Sequence, residues 1–133
     1  MHHQAVFTSE ESAKIRGTEL KQGAKALVFK TEDKYVMAVI SADRKVDLKK
    51  LKTIIGCKKM ALAPAEDIKE ETGLEKGAIP PFGSLFKMQV YLDKSLAENE
   101  IIAFNAGSHT DSVKMSYEDY VKVEKPIICD MAE

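Results

Sequence analysis

The sequence contains no tryptophan, only two cysteines and three histidines, and no long apolar run. A helix needs about 20 mostly apolar residues to cross a bilayer, so no membrane span is expected. No charged segment followed by an apolar stretch opens the chain, so no secretory leader is expected either. Cys57 and Cys129 stand alone and far apart. They form neither a disulfide framework nor a CxxC metal or redox motif, and a reducing cytoplasm is the simplest setting. His2 and His3 are adjacent near the start and read as part of a loose end rather than as ligands. No metal and no organic cofactor are implied. A basic excess is also missing: 20 Lys and Arg against 21 Asp and Glu give a net charge of -1. That excludes a coat-like, non-specific nucleic-acid binder, though not a local basic patch.

What is present is an ordinary domain composition. The 133 residues are 44% hydrophobic and 31% charged, the balance of a single globular domain with its own core. Thr8-Ser9-Glu10-Glu11 has the capping-box pattern of a short helix, which Gly17 stops. Ala24 to Thr31 and Lys34 to Ser41 read as two strands joined by a turn at Glu32-Asp33. The second is apolar on both faces and is expected at the centre of the sheet. Asp47 caps a helix running to Ile55 and ended by Gly56, with Leu48, Leu51 and Ile54 or Ile55 as its buried stripe. Lys58 to Leu62 is a short strand. Pro64 opens a helix that Gly73 closes. Lys87 to Leu92 is a strand, Asp93 caps a single turn, and Ile101 to Phe104 and Val113 to Met115 are further strands. Ser116 and Asp119 mark a last helix through Val123, with Pro126 beyond it. This mixture predicts an α/β (mixed α+β) fold: one compact curved mixed sheet or barrel with short helices packed outside.

A few residues depart from what a core or a solvated face needs. In the first strand, alternation puts Lys25 on the face of Leu27 and Phe29. An ammonium on an apolar face is costly unless it reaches water or an anion. Lys25 therefore either snorkels to solvent or stands at the mouth of a pocket. Gly77-Ala78-Ile79-Pro80-Pro81-Phe82-Gly83 cannot be regular helix or central strand. It is either a rigid connection or a segment whose backbone a ligand can approach. His109 follows Gly107 and Ser108 just after a buried strand, where a site residue or a hydrogen-bonded loop histidine would both fit. Ser108 and His109 are neighbours in sequence and make a poor nucleophile–base pair. Between Arg44 and Lys59 seven cations face only Asp47, and Lys45, Lys49 and Lys52 are expected on one helical face. That face is either solvated or a phosphate-contacting stripe. The acidic residues Glu66, Asp67, Glu70, Glu71 and Glu75 cancel much of its charge in the total.

Taken in order, these segments resemble the YbaK and prolyl-tRNA synthetase associated editing-domain family over nearly the whole chain. Gly-Ala-Lys25-Ala-Leu-Val is similar to the strand that carries the family's lysine. Val46-Asp47-Leu48-Lys49-Lys50-Leu51 resembles its Lys-rich helix start. Gly77-Ala-Ile79-Pro-Pro81-Phe-Gly83 resembles its GxxxP loop, and Asn105-Ala-Gly107-Ser108-His109 its late glycine–histidine segment. The resemblance implies residues 1–133 as one editing domain that hydrolyses mischarged aminoacyl-tRNA, free-standing and cytoplasmic. Aminoacyl-tRNA would be its partner, with an aminoacyl-tRNA synthetase as a further one. It implies Lys25 and His109 as catalytic residues. Gly77, Ile79, Pro81, Gly83, Gly107 and Ser108 would hold substrate, and Lys45, Lys49 and Lys52 would contact tRNA. Relatives act on different species, alanyl and cysteinyl forms among them, so the resemblance leaves the amino acid open. Two other activities fit the same features: a non-catalytic tRNA-binding module, and a binder or hydrolase of a small aminoacyl or nucleotide ligand.

Overall fold

The computed structural model describes residues 22–105 and 112–133. The expected Thr8-capped helix, Gly17, and Gly107, Ser108 and His109 lie outside the described residues. Two strands open the described chain, β1 (Ala24–Thr31) and β2 (Tyr35–Ser41). They form an antiparallel hairpin closed by a bond from Thr31 N–H to the Lys34 carbonyl at 2.8 Å. Helix α1 (Leu48–Ile55), β3 (Met60–Leu62) and α2 (Ala65–Thr72) follow. Then come a 3-10 turn at Gly83–Phe86, β4 (Gln89–Asp93) and a second 3-10 turn at Lys94–Glu98. The described chain ends with β5 (Ile101–Asn105), β6 (Ser112–Ser116), α3 (Tyr117–Glu124) and β7 (Ile127–Cys129).

The fold is mixed α+β, as the sequence predicts. Five strands run in the order β3-β1-β2-β4-β7, and β5 and β6 form a separate pair. β3 and β2 flank β1 antiparallel, whereas β4 joins β2 and β7 joins β4 in parallel. β2 is the central strand, and Val36 through Ile40 are all buried. A sheet covered on both faces needs a central strand without polar alternation, which YVMAVIS supplies. One face packs Val28, Met37, Val39, Val90 and Leu92 against Ile68, Ile102, Phe104 and Tyr120. The other packs Phe29, Val36, Ala38, Ile40 and Tyr91 against Leu51 and Met131.

Local signals set the helix ends. Asp47 caps α1 through Oδ1, which accepts from Lys49 N–H at 3.0 Å and Lys50 N–H at 3.2 Å. Gly56 ends it at φ 78°, a left-handed conformation that favours glycine. Ser116 caps α3 and Asp93 caps the second 3-10 turn. The expected stripe of α1 is narrower than its sequence implies. Leu51 alone is fully buried and Ile55 is half-buried, while Leu48 is 51% exposed and Ile54 37%. Eight residues make just over two turns, so one leucine inserts and its flanking apolar neighbours stay at the rim. Burying Leu51 contributes about 1.5–3 kcal/mol.

Residues 130–133 fold back onto the start of α1. Asp47 N–H donates to the Met131 carbonyl at 2.7 Å and Glu133 N–H to the Lys45 carbonyl at 2.9 Å. Val46 and Ala132 form an antiparallel bridge. The buried Asp93 carboxylate accepts from Met131 N–H at 2.9 Å, which ties this return to the end of β4.

Candidate functional site

Lys25 is the second residue of β1 and lies opposite Ile40 of β2. The face is the expected one: Leu27 and Phe29 share it and pack in the cluster that holds Leu51. The side chain is half-buried, and among the described residues it makes no ion pair. Burial lowers its pKa most, and the positive charge of Lys45 lowers it further, while Asp43 partly opposes both. Lys45 follows the turn after β2 and acts on Lys25 through its charge. A partly desolvated ammonium under the charge of a second lysine makes a position where an anion is stabilising.

The 77–83 segment is pinned at both ends by side chains from elsewhere. Gly77 sits at φ 89°, a conformation suited to glycine. Its carbonyl accepts from Asn105 Nδ2 at 2.6 Å, and the next N–H, of Ala78, donates to the Glu75 carbonyl at 3.0 Å. Four residues on, the Pro81 carbonyl accepts from the Tyr120 hydroxyl at 2.5 Å, and Phe82 N–H donates to the Pro80 carbonyl at 2.8 Å. Pro80 and Pro81 have no N–H to offer. The N–H of Ile79 lies between the two fixed peptide planes and has no acceptor among the described residues. Ile79 itself is buried in the core, as are Ala78 and Pro81. Gly83 is a glycine for packing: a Cβ there would stand 2.7 Å from the Met88 carbonyl oxygen and 2.7 Å from Val90 Cγ2.

β1 and β5 connect these two features. Gly23 and Ala103 form a parallel bridge. Two residues further along each strand come Lys25 and Asn105. Asn105 in turn holds Gly77. Strand β5 therefore touches the start of β1 through the Gly23–Ala103 bridge and holds the start of the loop through Asn105. Ile79 joins the cluster containing Phe104 and Tyr120, on the sheet face opposite the one that Lys25 shares with Leu27 and Phe29. Residues 106–111, which include Gly107, Ser108 and His109, connect Asn105 to Ser112, and these two pair across β5 and β6.

The basic stripe splits in two. Lys49 and Lys52 lie three apart on α1, but Lys45 precedes the Asp47 cap and lies outside the helix, contrary to the expected common helical face. Lys45, Lys49 and Lys52 are exposed and form no ion pair among the described residues. Lys50 differs: its Nζ donates to the Ala132 carbonyl at 2.9 Å and lies 3.7 Å from Asp130.

Three residues of this arrangement escape a reading of the sequence as site residues: Asn105, Tyr120 and Glu124. Glu124 accepts from Ser84 N–H at 2.9 Å and Ser84 Oγ at 2.7 Å. The cap at Ser116 fixes the helix phase, and Tyr120 and Glu124 at i and i+4 then share a face. Nothing local in the sequence names their partners, which lie some forty positions earlier.

The profile of the aminoacyl-tRNA editing domain matches residues 3–123. The chain is 40% identical over 129 residues to the multifunctional Ser/Thr-tRNA deacylase ProXp-y of Escherichia coli (strain K12), covering 93% of this chain and 77% of that protein. It is 30% identical over 131 residues to the prolyl-tRNA editing protein ProX of Acetoanaerobium sticklandii, covering 94% and 80%. A proline–tRNA ligase of Thermosipho melanesiensis matches at 33% over 96 residues, 72% of this chain but 17% of the ligase. Among solved structures, a candidate trans-editing enzyme for prolyl tRNA synthetase superposes with a TM-score of 0.92 at 24% identity, covering 100% of this chain and 85% of that one.

Proposed function

The chain belongs to the aminoacyl-tRNA editing domain family, and from that premise we propose that it is an aminoacyl-tRNA deacylase acting in trans on mischarged tRNA. Two observations carry the reading: a half-buried Lys25 that makes no ion pair, and a Gly/Pro loop whose Ile79 N–H has no acceptor, both among the described residues. Similarity along most of ProXp-y and ProX, against a small part of the ligase, favours action in trans. It also favours small or hydroxylated amino acids, seryl and threonyl esters first. No helix among the described residues is long and apolar enough to cross a membrane, and the cytoplasm, where charged tRNA resides, is the proposed location.

The reaction is hydrolysis of the ester joining the amino acid to the terminal ribose. Water adds to the carbonyl carbon, negative charge collects on the carbonyl oxygen, and the ribose oxygen leaves with a proton. Lys25 holds the 3′-terminal phosphate, which relieves its desolvation and its repulsion from Lys45. Lys45, Lys49 and Lys52 line the approach of the tRNA end. The Ile79 N–H donates to the carbonyl oxygen as charge develops there, a contribution of the kind worth about 10²–10³ in rate. Gly77, Pro81 and Gly83 keep that N–H aimed. Gly107, Ser108 and His109 border the amino group and ribose. An aminoacyl ester is already activated, so positioning and fixed dipoles suffice without a covalent intermediate.

The test is deacylation by the purified protein of tRNAs charged with serine, threonine, alanine, cysteine and proline. At least one should be cleared well above the uncatalysed rate, and Lys25→Ala should remove that activity while keeping the wild-type circular dichroism. No turnover of any of the five, or normal turnover by Lys25→Ala, would overturn the corresponding assignment.

A further inference from the structure

We infer that Tyr120 is a positioning residue of this site: its hydroxyl fixes the Pro81 carbonyl, and through it the set of the Ile79 N–H and the discrimination among aminoacyl groups. The inference rests on the deacylase reading above and extends it to a helix outside the proposed contacts.

Tyr120 is fully buried on α3, in the same core cluster as Ile79 and Phe104. A buried hydroxyl is tolerated only with a partner, and Pro81 O is that partner. Burial and the nearby Glu124 push the phenol well above its ordinary pKa, so it remains a proton donor throughout the working range. The Pro81 carbonyl needs an outside donor in turn. Its own segment holds two prolines, and the Phe82 N–H is engaged by the Pro80 carbonyl. The phenol ring also packs edge-on to Phe82, with centroids 5.2 Å apart, and Phe82 packs edge-on to Phe104 at 5.6 Å. One turn along α3, the Glu124 carboxylate takes both Ser84 donors. Helix α3 thus grips the chain on both sides of Phe82–Gly83, while Asn105 grips it at Gly77. With these two carbonyls held from outside the loop, the Ile79 N–H between them keeps one direction. Without the Tyr120 hydroxyl, the Pro81–Phe82 peptide plane can rotate and the aim of that N–H is lost.

Tyr120→Phe keeps the ring and removes only the hydroxyl. In the purified full chain, kcat should fall about tenfold, the size of one net hydrogen bond. KM for aminoacyl-tRNA should stay within about twofold and the preference among charged tRNAs should flatten, the pattern of a contact made only in the transition state. Amide exchange at Ala78 and Ile79 should quicken. Val36→Ala, in the core of the other sheet face, serves as the stability control: it should lower the melting temperature with no change in kcat or in loop exchange. Equal kcat losses in the two variants, or unchanged kcat and selectivity in Tyr120→Phe, would overturn the inference. If the wild type deacylates nothing, the deacylase reading fails, and loop exchange still decides the clamp: unchanged protection of Ala78 and Ile79 in Tyr120→Phe would remove it. Glu124→Ala, at a half-exposed residue, reads the same grip should Tyr120→Phe not fold. It should shift kcat in the same direction by a smaller factor, and a wild-type kcat there would count against the grip.

Discussion

Gly83→Ala should unfold this protein more readily, without touching the chemistry directly. The added Cβ would meet the Met88 carbonyl oxygen and Val90 Cγ2, both at 2.7 Å, with the Met88 carbonyl carbon at 3.4 Å. A methyl rotor on Val90 can turn aside, but a backbone oxygen cannot. Gly83 and Met88 are also bonded to each other, Met88 N–H to the Gly83 carbonyl at 2.9 Å, so they cannot separate without losing that bond. Behind Met88, Val90 is held by the parallel pairing of β4 with Met37 of β2. Overpacking of this kind costs about 1–3 kcal/mol. For a domain of this size that is roughly 3–15 °C in melting temperature. Urea unfolding followed by circular dichroism should show an earlier midpoint with an unchanged slope. Val90→Ala in the same chain should restore only part of the loss, because the contact with the Met88 oxygen remains. A Gly83→Ala protein as stable as wild type, yet defective in deacylation, would refute the packing account and return Gly83 to direct contact with substrate.

Other outcomes follow from the charges. Lys25→Met removes a half-buried ammonium that no carboxylate pairs among the described residues, so melting should occur at the same or a higher temperature while activity disappears; a large loss of stability would make Lys25 structural. Glu in place of both Lys49 and Lys52 should weaken tRNA binding and reduce the slope of log K against log salt by about 1.4–1.8, the expectation for two phosphate contacts; an unchanged slope would leave those lysines as a solvated face. Lys45→Gln should raise the depressed pKa of Lys25 and move the alkaline fall of activity to higher pH. Because the folded Lys25 titrates below the ordinary 10.5, its contribution favours the fold above 10.5 and is lost as pH falls through the depressed value. Lys45→Gln should narrow that window, and a pH–stability curve identical to wild type would contradict the coupling.

Much of the fold is legible because its boundaries are set locally. Asp47, Asp93 and Ser116 cap what they are expected to cap, and Gly56 and Gly73 end their helices with positive φ. The apolar both-faced run of β2 places it centrally. β7 has no such signal. Three residues, of which Ile127 and Ile128 remain largely exposed, become a strand only because the edge of β4 offers a parallel partner. The site is legible where a residue violates its surroundings, as Lys25 does on an apolar face. The electrostatic effect of Lys45 on Lys25 is not, since it depends on the turn after β2 rather than on either segment. Tyr120 is hidden for a different reason: a tyrosine on a helix face that meets the core is indistinguishable in sequence from any other core aromatic. Its meaning lies in the orientation of one hydroxyl toward Pro81.

The return of residues 130–133 onto Lys45–Lys50 also sets an order of assembly. Its bonds join positions more than 80 residues apart, Lys50 and Ala132 being separated by 82. Such contacts form only after a long segment of chain has already been brought together, and their closure entropy is met by structure laid down earlier. A nascent chain lacking these residues can pair β1 with β2, but Leu51 then lacks its core neighbours Met131 and Ala132. Its Lys45 carbonyl and Asp47 N–H likewise have not yet met Glu133 and Met131. The electrostatic surroundings of Lys25 are therefore completed among the last steps of folding. Proteolytic trimming after Cys129 would remove the bond to the Lys45 carbonyl together with the buried Met131, so it would loosen the cation that acts on Lys25 and the packing beside Leu51 at once.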